Sequence, residues 1–73
     1  MITFNFRDQK HTIIIDHDNQ PNICTIDMIN GRRLADKTEC VLYANYLMDI
    51  STAGFAGLET RKLAAAILAA AQK

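Results

Sequence analysis

Apolar and polar residues alternate from the start of the chain: Ile2, Phe4 and Phe6 are separated by Thr3 and Asn5 and followed by Arg7. A period of two predicts a half-buried strand, and the residues leading into Ile13 and Ile15 predict a second. With Asp8 and Gln9 as a two-residue turn, Phe4 falls opposite Ile13 and Ile2 opposite Ile15. That register places Ile2, Phe4, Phe6, Ile13 and Ile15 on one face. Thr3, Asn5, Arg7, Lys10, Thr12 and Ile14 take the other. Asp16 to Asn22 is turn chemistry, with Asx residues before the only proline. "ICTIDMI" predicts a third strand in which Cys24, Ile26 and Met28 share the core side. Asn30-Gly31 is the strongest short hairpin signal, because both residues tolerate the positive φ of a type I′ turn. A fourth strand, Arg32 to Leu34, follows. Arg33 then lies opposite Met28, a pairing that asks for a bulge or a longer loop.

From Asp36 the period changes. "DKTECVLYANYLMDI" keeps apolar residues at 40, 41, 44, 47 and 48, one face of a helix, and Asp36 or Thr38 can cap it. "STAGFAG" breaks the pattern with two glycines, and Leu58 to Gln72 predict a final helix beginning near Glu59. The expected architecture is one α+β domain over residues 1–73. It is a four-stranded antiparallel sheet in the order ββββαα, with the two C-terminal helices packed on one face.

The last helix poses a question. Leu63 to Ala71 carry no polar side chain at all, more apolar surface than one contact with a sheet buries. Either the preceding helix wraps it, or a second copy of the chain does. On the second reading the homodimer pairs through Ala64, Ile67, Leu68 and Ala71, where small residues permit close approach of two helices.

Composition narrows the function. Charged residues make up 22% of the chain and hydrophobic ones 49%, a globular balance. Eight basic and eight acidic residues cancel, which argues against direct binding of duplex DNA and against a DNA mimic. The C-terminal apolar run is too short and too rich in alanine to span a bilayer, and residues 1–7 alternate instead of forming a signal-peptide core. Cys24 and Cys40 lack any CxxC spacing and read as free thiols of a reducing cytoplasm.

No catalytic, cofactor or metal constellation survives its physical requirements. Asp16, Asp18, Gln20, Asn22 and Asp27 fall at calcium-loop spacing, yet Pro21 occupies the obligatory glycine position and no bidentate glutamate closes the set. His11 and His17 lack converging spacing. Cys40 with His11 has no oxyanion hole and no orienting third group. Gly54 and Gly57 follow no strand and read as a helix–helix turn, not a phosphate cradle. The expectation is therefore a protein without enzymatic activity or cofactor. Arg7, Lys10, Arg32 and Arg33 read as solvated edge charges, and Tyr43 with Tyr46 as the edge of the core. The candidate partner surface is the sheet face away from the helices, where Thr3, Asn5, Arg7, Thr12, Ile14, Thr25 and Arg32 gather as an apolar centre with a polar rim.

"INGR" at the predicted hairpin turn, "TE" opening a short aromatic helix and "GFAGLETRKLAAAI" at the last helix carry a resemblance over residues 30–67. In element order and in these motifs the chain resembles small phage-encoded anti-CRISPR proteins. It is most similar to a type I-F inhibitor with a four-stranded sheet and two helices. The resemblance implies a stoichiometric inhibitor that occupies the surface of a Cas surveillance complex, and it carries no binding residue onto this chain. The expected function is that of a small protein-binding module, in its sharpest form an inhibitor of a host defence complex. The alternative is a homodimeric regulatory protein paired through its alanine-rich helix.

Overall fold

A computed structural model describes all 73 residues. Four strands precede two helices: β1 (Phe4–Phe6), β2 (Gln9–Ile15), β3 (Pro21–Thr25), β4 (Arg33–Leu34), α1 (Lys37–Ile50) and α2 (Phe55–Ala71), with one 3₁₀ turn at Ile26–Met28 between β3 and β4. All pairings are antiparallel, and the helices pack on one face of the sheet, the expected α+β layering.

Central strand β2 organises the sheet. Along one edge it pairs with β3; along the other it pairs with β1 near its start and β4 near its end. The first turn is Arg7–Asp8, both left-handed at φ 53° and 62°, and not Asp8–Gln9. Phe4 therefore faces His11 and Phe6 faces Gln9. The expected register would have set Arg7 directly against Lys10, a like-charge pair that the observed turn avoids. Arg7 instead lays its guanidinium over the Phe6 ring at 5.2 Å and reaches Glu59 at 3.8 Å. Because the shift is by two residues, every side chain keeps its face. Phe4, Ile13 and Ile15 join the core as expected, and His11 stacks on Phe4 with ring centroids 5.8 Å apart. His11 Nε2 lies 3.2 Å from the Phe6 carbonyl oxygen, while its buried Nδ1 has no partner.

The turn into β3 is locked by Asp16. Its carboxylate accepts the N–H groups of Asp18 and Gln20, each at 2.9 Å, and the Asn22 side-chain amide at 2.7 Å. That locking sets Ile13 opposite Ile23 and Thr12 opposite Cys24. The core-side residue of β3 is thus Ile23. Cys24 points the other way, and the chain leaves the ladder at Ile26, so Cys24, Ile26 and Met28 do not share a core face. Asn30 and Gly31 do adopt positive φ, 50° and 74°, and Arg32 N–H closes on the Ile29 carbonyl at 3.0 Å. Yet the turn joins no hairpin. It sends the chain across to the far edge of β2, where Arg33 pairs with Ile15 and never meets Met28.

Helix α1 begins as its sequence dictates. Asp36 accepts the Glu39 N–H at 2.8 Å, and Glu39 accepts the Asp36 N–H at 3.1 Å, a complete capping box. Glu39 also holds Arg33 through both oxygens, at 2.9 and 3.0 Å. Cys40, Ala44 and Leu47 are the buried stripe. Helix α2 starts three residues earlier than expected. Gly54, at φ 96°, is its N-cap, and Gly57 sits in its first turn against the backbone of Thr52, where a Cβ would overlap the Thr52 carbonyl group.

The alanine-rich stretch is covered from within. Ala64, Ile67 and Ala71 are buried among Phe4, Ile13, Ile15, Cys40, Ala44 and Leu47, and Leu63, Ala66, Leu68 and Ala70 pack against the same cluster. The α1–α2 interface is the most extensive between any two elements. The first of the two readings thus holds for these residues, because α1 covers the side left over by the sheet. Ala64, Ile67 and Ala71 are core residues and Leu68 borders the core, so they do not form a free dimer surface.

Candidate functional site

The sheet face expected to meet a partner is closed. Parallel strands β3 and β4 flank β2, so the chain joining them must cross β2, and the helices occupy one side of the sheet. Residues 26–32 therefore pass over the face carrying Thr12 and Ile14, and the 3₁₀ turn contacts both β2 and β3. Ile14 has no exposure and Thr12 only 2%. The Thr12 hydroxyl donates to the Ile2 carbonyl at 2.8 Å, which satisfies its buried oxygen. Thr25 lies opposite His11 and so takes the helix-side face. Arg7 belongs to the first turn, Arg32 follows the Asn30–Gly31 turn, and Thr3 precedes β1. Only Asn5 is an exposed strand residue of the expected set. The alternation that predicted this face was sound, and the crossover that buries it leaves no mark in a strand pattern.

The four basic residues also divide. Arg7 and Lys10 lie at the β1–β2 turn, whereas Arg33 is at the other end of β2, bound to Glu39. Asp16 spends its carboxylate on its own turn, and no three His, Cys, Asp or Glu side chains come together. Burial pushes the Cys40 thiol up, aided by the negative charges of Asp36 and Glu39. A thiol of that kind is a packing group, not a nucleophile.

What the fold leaves open is a groove of ≈ 570 Å³ between the β2–β3 hairpin and α1. Ile15 and Pro21 contribute apolar surface from the sheet, and Asn19, Gln20 and Asn22 bring amides from the turn. Leu42, Tyr43 and Tyr46 line it from the helix. Leu42 is 63% and Tyr46 55% exposed, conspicuous for large apolar side chains in a chain this small. The two tyrosine rings stack at 6.4 Å with 22° between planes, and burial pushes the Tyr43 hydroxyl up, reinforced by Tyr46. Glu39 stands at one end, its carboxyl held below the ordinary range by the Arg33 guanidinium and the Asp36 N–H. Asp16 flanks Asn22 and is likewise lowered, chiefly by the Gln20 N–H. Helical spacing explains why these groups converge: positions 39, 42, 43 and 46 recur every three to four residues and share one stripe of α1.

The groove borders the one long unpaired edge of the sheet. The Asp16 N–H donates to the Gln20 carbonyl at 3.0 Å. Antiparallel alternation then makes Ile14–Asn22 and Thr12–Cys24 the hydrogen-bonded pairs. Pro21 and Ile23, with the Thr25 N–H, consequently turn their backbone groups outward, where no other strand lies. Pro21 has no N–H to satisfy, as suits an edge position. A second exposed apolar set, Ile50, Phe55 and Leu58, caps the helix hairpin and does not line the groove. Tyr43 and Tyr46 were legible in the sequence as a pair; their union with Pro21 and Leu42 depends on the hairpin register. No helix is long and apolar enough to cross a membrane. Comparison with known protein families, with curated proteins and with solved structures returns no match for this chain.

Proposed function

We propose that the chain is a small non-catalytic protein-binding module whose contact surface is the groove between α1 and the β3 edge. The observation that carries this reading is the juxtaposition of exposed Leu42 and Tyr46 with strand backbone that nothing in the chain pairs. Interface centres favour tyrosine and large apolar side chains ringed by polar groups, and Asn19, Gln20 and Asn22 supply such a rim. The resemblance over residues 30–67 makes a host defence complex the sharpest form of the partner, with inhibition by occupation of a Cas surface.

The test is paired capture from bacterial lysate with quantitative mass spectrometry, using wild type and the Leu42→Asp/Tyr46→Asp double variant. Both positions are exposed, so the variant should stay folded, melting somewhat below wild type because two aspartates at i,i+4 weaken α1. The reading expects a partner enriched by wild type and lost from the variant, and a multi-subunit nucleoprotein if the resemblance extends to function. Equal capture by both proteins overturns it.

A further inference from the structure

An unpaired strand edge beside an apolar helix face specifies more than a surface; it specifies the shape of an occupant. Edges β1 and β4 are three and two residues long, whereas β3 offers five. No lysine, arginine or acidic residue guards β3, whose sequence is Pro-Asn-Ile-Cys-Thr. Such an edge accepts another extended chain unless something blunts it. Only Pro21 does so here, and only by lacking a donor. The Ile23 N–H and carbonyl, the Thr25 N–H and the Pro21 carbonyl face outward, while the Thr25 carbonyl begins the 3₁₀ turn.

Side-chain alternation then dictates what the added strand must carry. A residue paired with Ile23 or Pro21 projects to the helix side, the side on which Ile23 packs toward the core and Pro21 shares the groove with Leu42, Tyr43 and Tyr46. Apolar residues suit both positions. A residue paired with Asn22 projects to the opposite face, where the Asn22 amide donates to Asp16. Asp16 has no ion-pair partner in the chain, in contrast to Glu39, which holds Arg33. A lysine or arginine at that position meets a carboxylate that is hydrogen-bonded within its turn but whose charge no cation of the chain balances.

We propose that the groove takes an extended segment of a partner protein as a fifth strand on β3, with apolar residues against Leu42, Tyr43 and Tyr46 and a basic residue between them beside Asp16. The proposal rests on the binding-module reading and adds its mode: main-chain hydrogen bonds supply affinity and alternate side chains supply selection. A second copy of this chain fits less well. Its own β3, Pro-Asn-Ile-Cys-Thr, brings no cation to Asp16.

A fluorescein-labelled heptapeptide of alternating valine and lysine is the probe, followed by fluorescence anisotropy and by amide hydrogen exchange of the protein. Binding should protect the Ile23 and Thr25 amides. Replacing lysine by glutamate in the peptide should weaken binding at least tenfold. N-methylation of alternate peptide nitrogens, which removes the ladder donors and keeps the side chains, should do the same. Asp16→Asn, checked for an unchanged fold, should erase most of the preference for lysine over glutamate. Absence of binding at millimolar peptide overturns the proposal, as does equal affinity for the N-methylated peptide. Protection of Ile23 and Thr25 that grows with protein concentration and needs no peptide also overturns it, because copies are then pairing with one another. If the peptides fail while capture from lysate still depends on Leu42 and Tyr46, the strand mode falls and the binding-module reading stands.

Discussion

Gly57→Ala sets two physical effects of opposite sign against each other. Alanine is a better helix former than glycine by about 1 kcal/mol at an interior helical position, so propensity alone makes the variant more stable. The packing says otherwise. A Cβ at Gly57 would overlap the carbonyl group of Thr52 and stand 2.8 Å from the Thr52 nitrogen. The obstacle is backbone, so no side chain can rotate away, and the α1–α2 turn itself must move. Inserting a methyl group into a closed site of this kind costs about 1–3 kcal/mol or more, and backbone contact puts it at the upper end. The net expectation is a loss of about 2 kcal/mol. For a domain of this length each kcal/mol moves the melting temperature by roughly 4–8 °C, so the shift is readily resolved. Thermal and urea melts followed by circular dichroism measure it. Ala65→Gly, exposed on the middle of α2, is the control and should lose about 1 kcal/mol by propensity alone. If Gly57→Ala melts at or above wild type, the close approach of α2 to Thr52 is wrong.

Three further outcomes follow from the same packing. Leu68→Glu should cost several kcal/mol and unfold much of the population, not release a folded monomer from a dimer, whereas Ala65→Glu should leave the melt nearly unchanged; gel filtration with circular dichroism separates the cases. Ile14→Asp should unfold the chain, since Ile14 has no exposure beneath the crossover and an unpaired carboxylate there is not tolerated; a well-folded variant would reopen that face. Asp16 and Glu39 titrate below their ordinary values of 3.8 and 4.5, so their contribution is complete above those values and disappears as pH falls through the lower, folded ones. Urea melts should show stability falling with acid in that range, with a shallower fall in the Asp16→Asn/Glu39→Gln variant.

Much of the fold was legible because local chemistry and global packing agree. The Cys40–Ala44–Leu47 stripe and the Ile2–Phe4–Phe6 alternation each follow from spacing alone, and of the two cap candidates Asp36 starts α1 with a capping box. The register error at Arg7–Asp8 was harmless to the core, since a two-residue slip preserves faces. The larger miss lay at Asn30–Gly31. That pair announces a tight turn but not which strands it joins, and β4 pairs with β2, not with β3. From that topology came the burial of Thr12 and Ile14 and the loss of the expected partner face. The alanine-rich helix misled for a related reason. Its apolar girth equally fits an internal partner or a second copy, and only the placement of α1 distinguishes them. Leu42 and Tyr46 stood outside the apolar spacing that defined α1, and the open edge that gives them meaning belongs to a strand whose start the sequence pattern set two residues late and whose end four residues late.

Amide hydrogen exchange on the chain, free and bound to the partner captured from lysate, tests the binding surface most directly. The predicted result is protection gained at Ile23 and Thr25 together with Leu42 to Tyr46, and little change at the helix hairpin. Protection confined to Phe55–Leu58, with β3 exchanging as in the free chain, would contradict it.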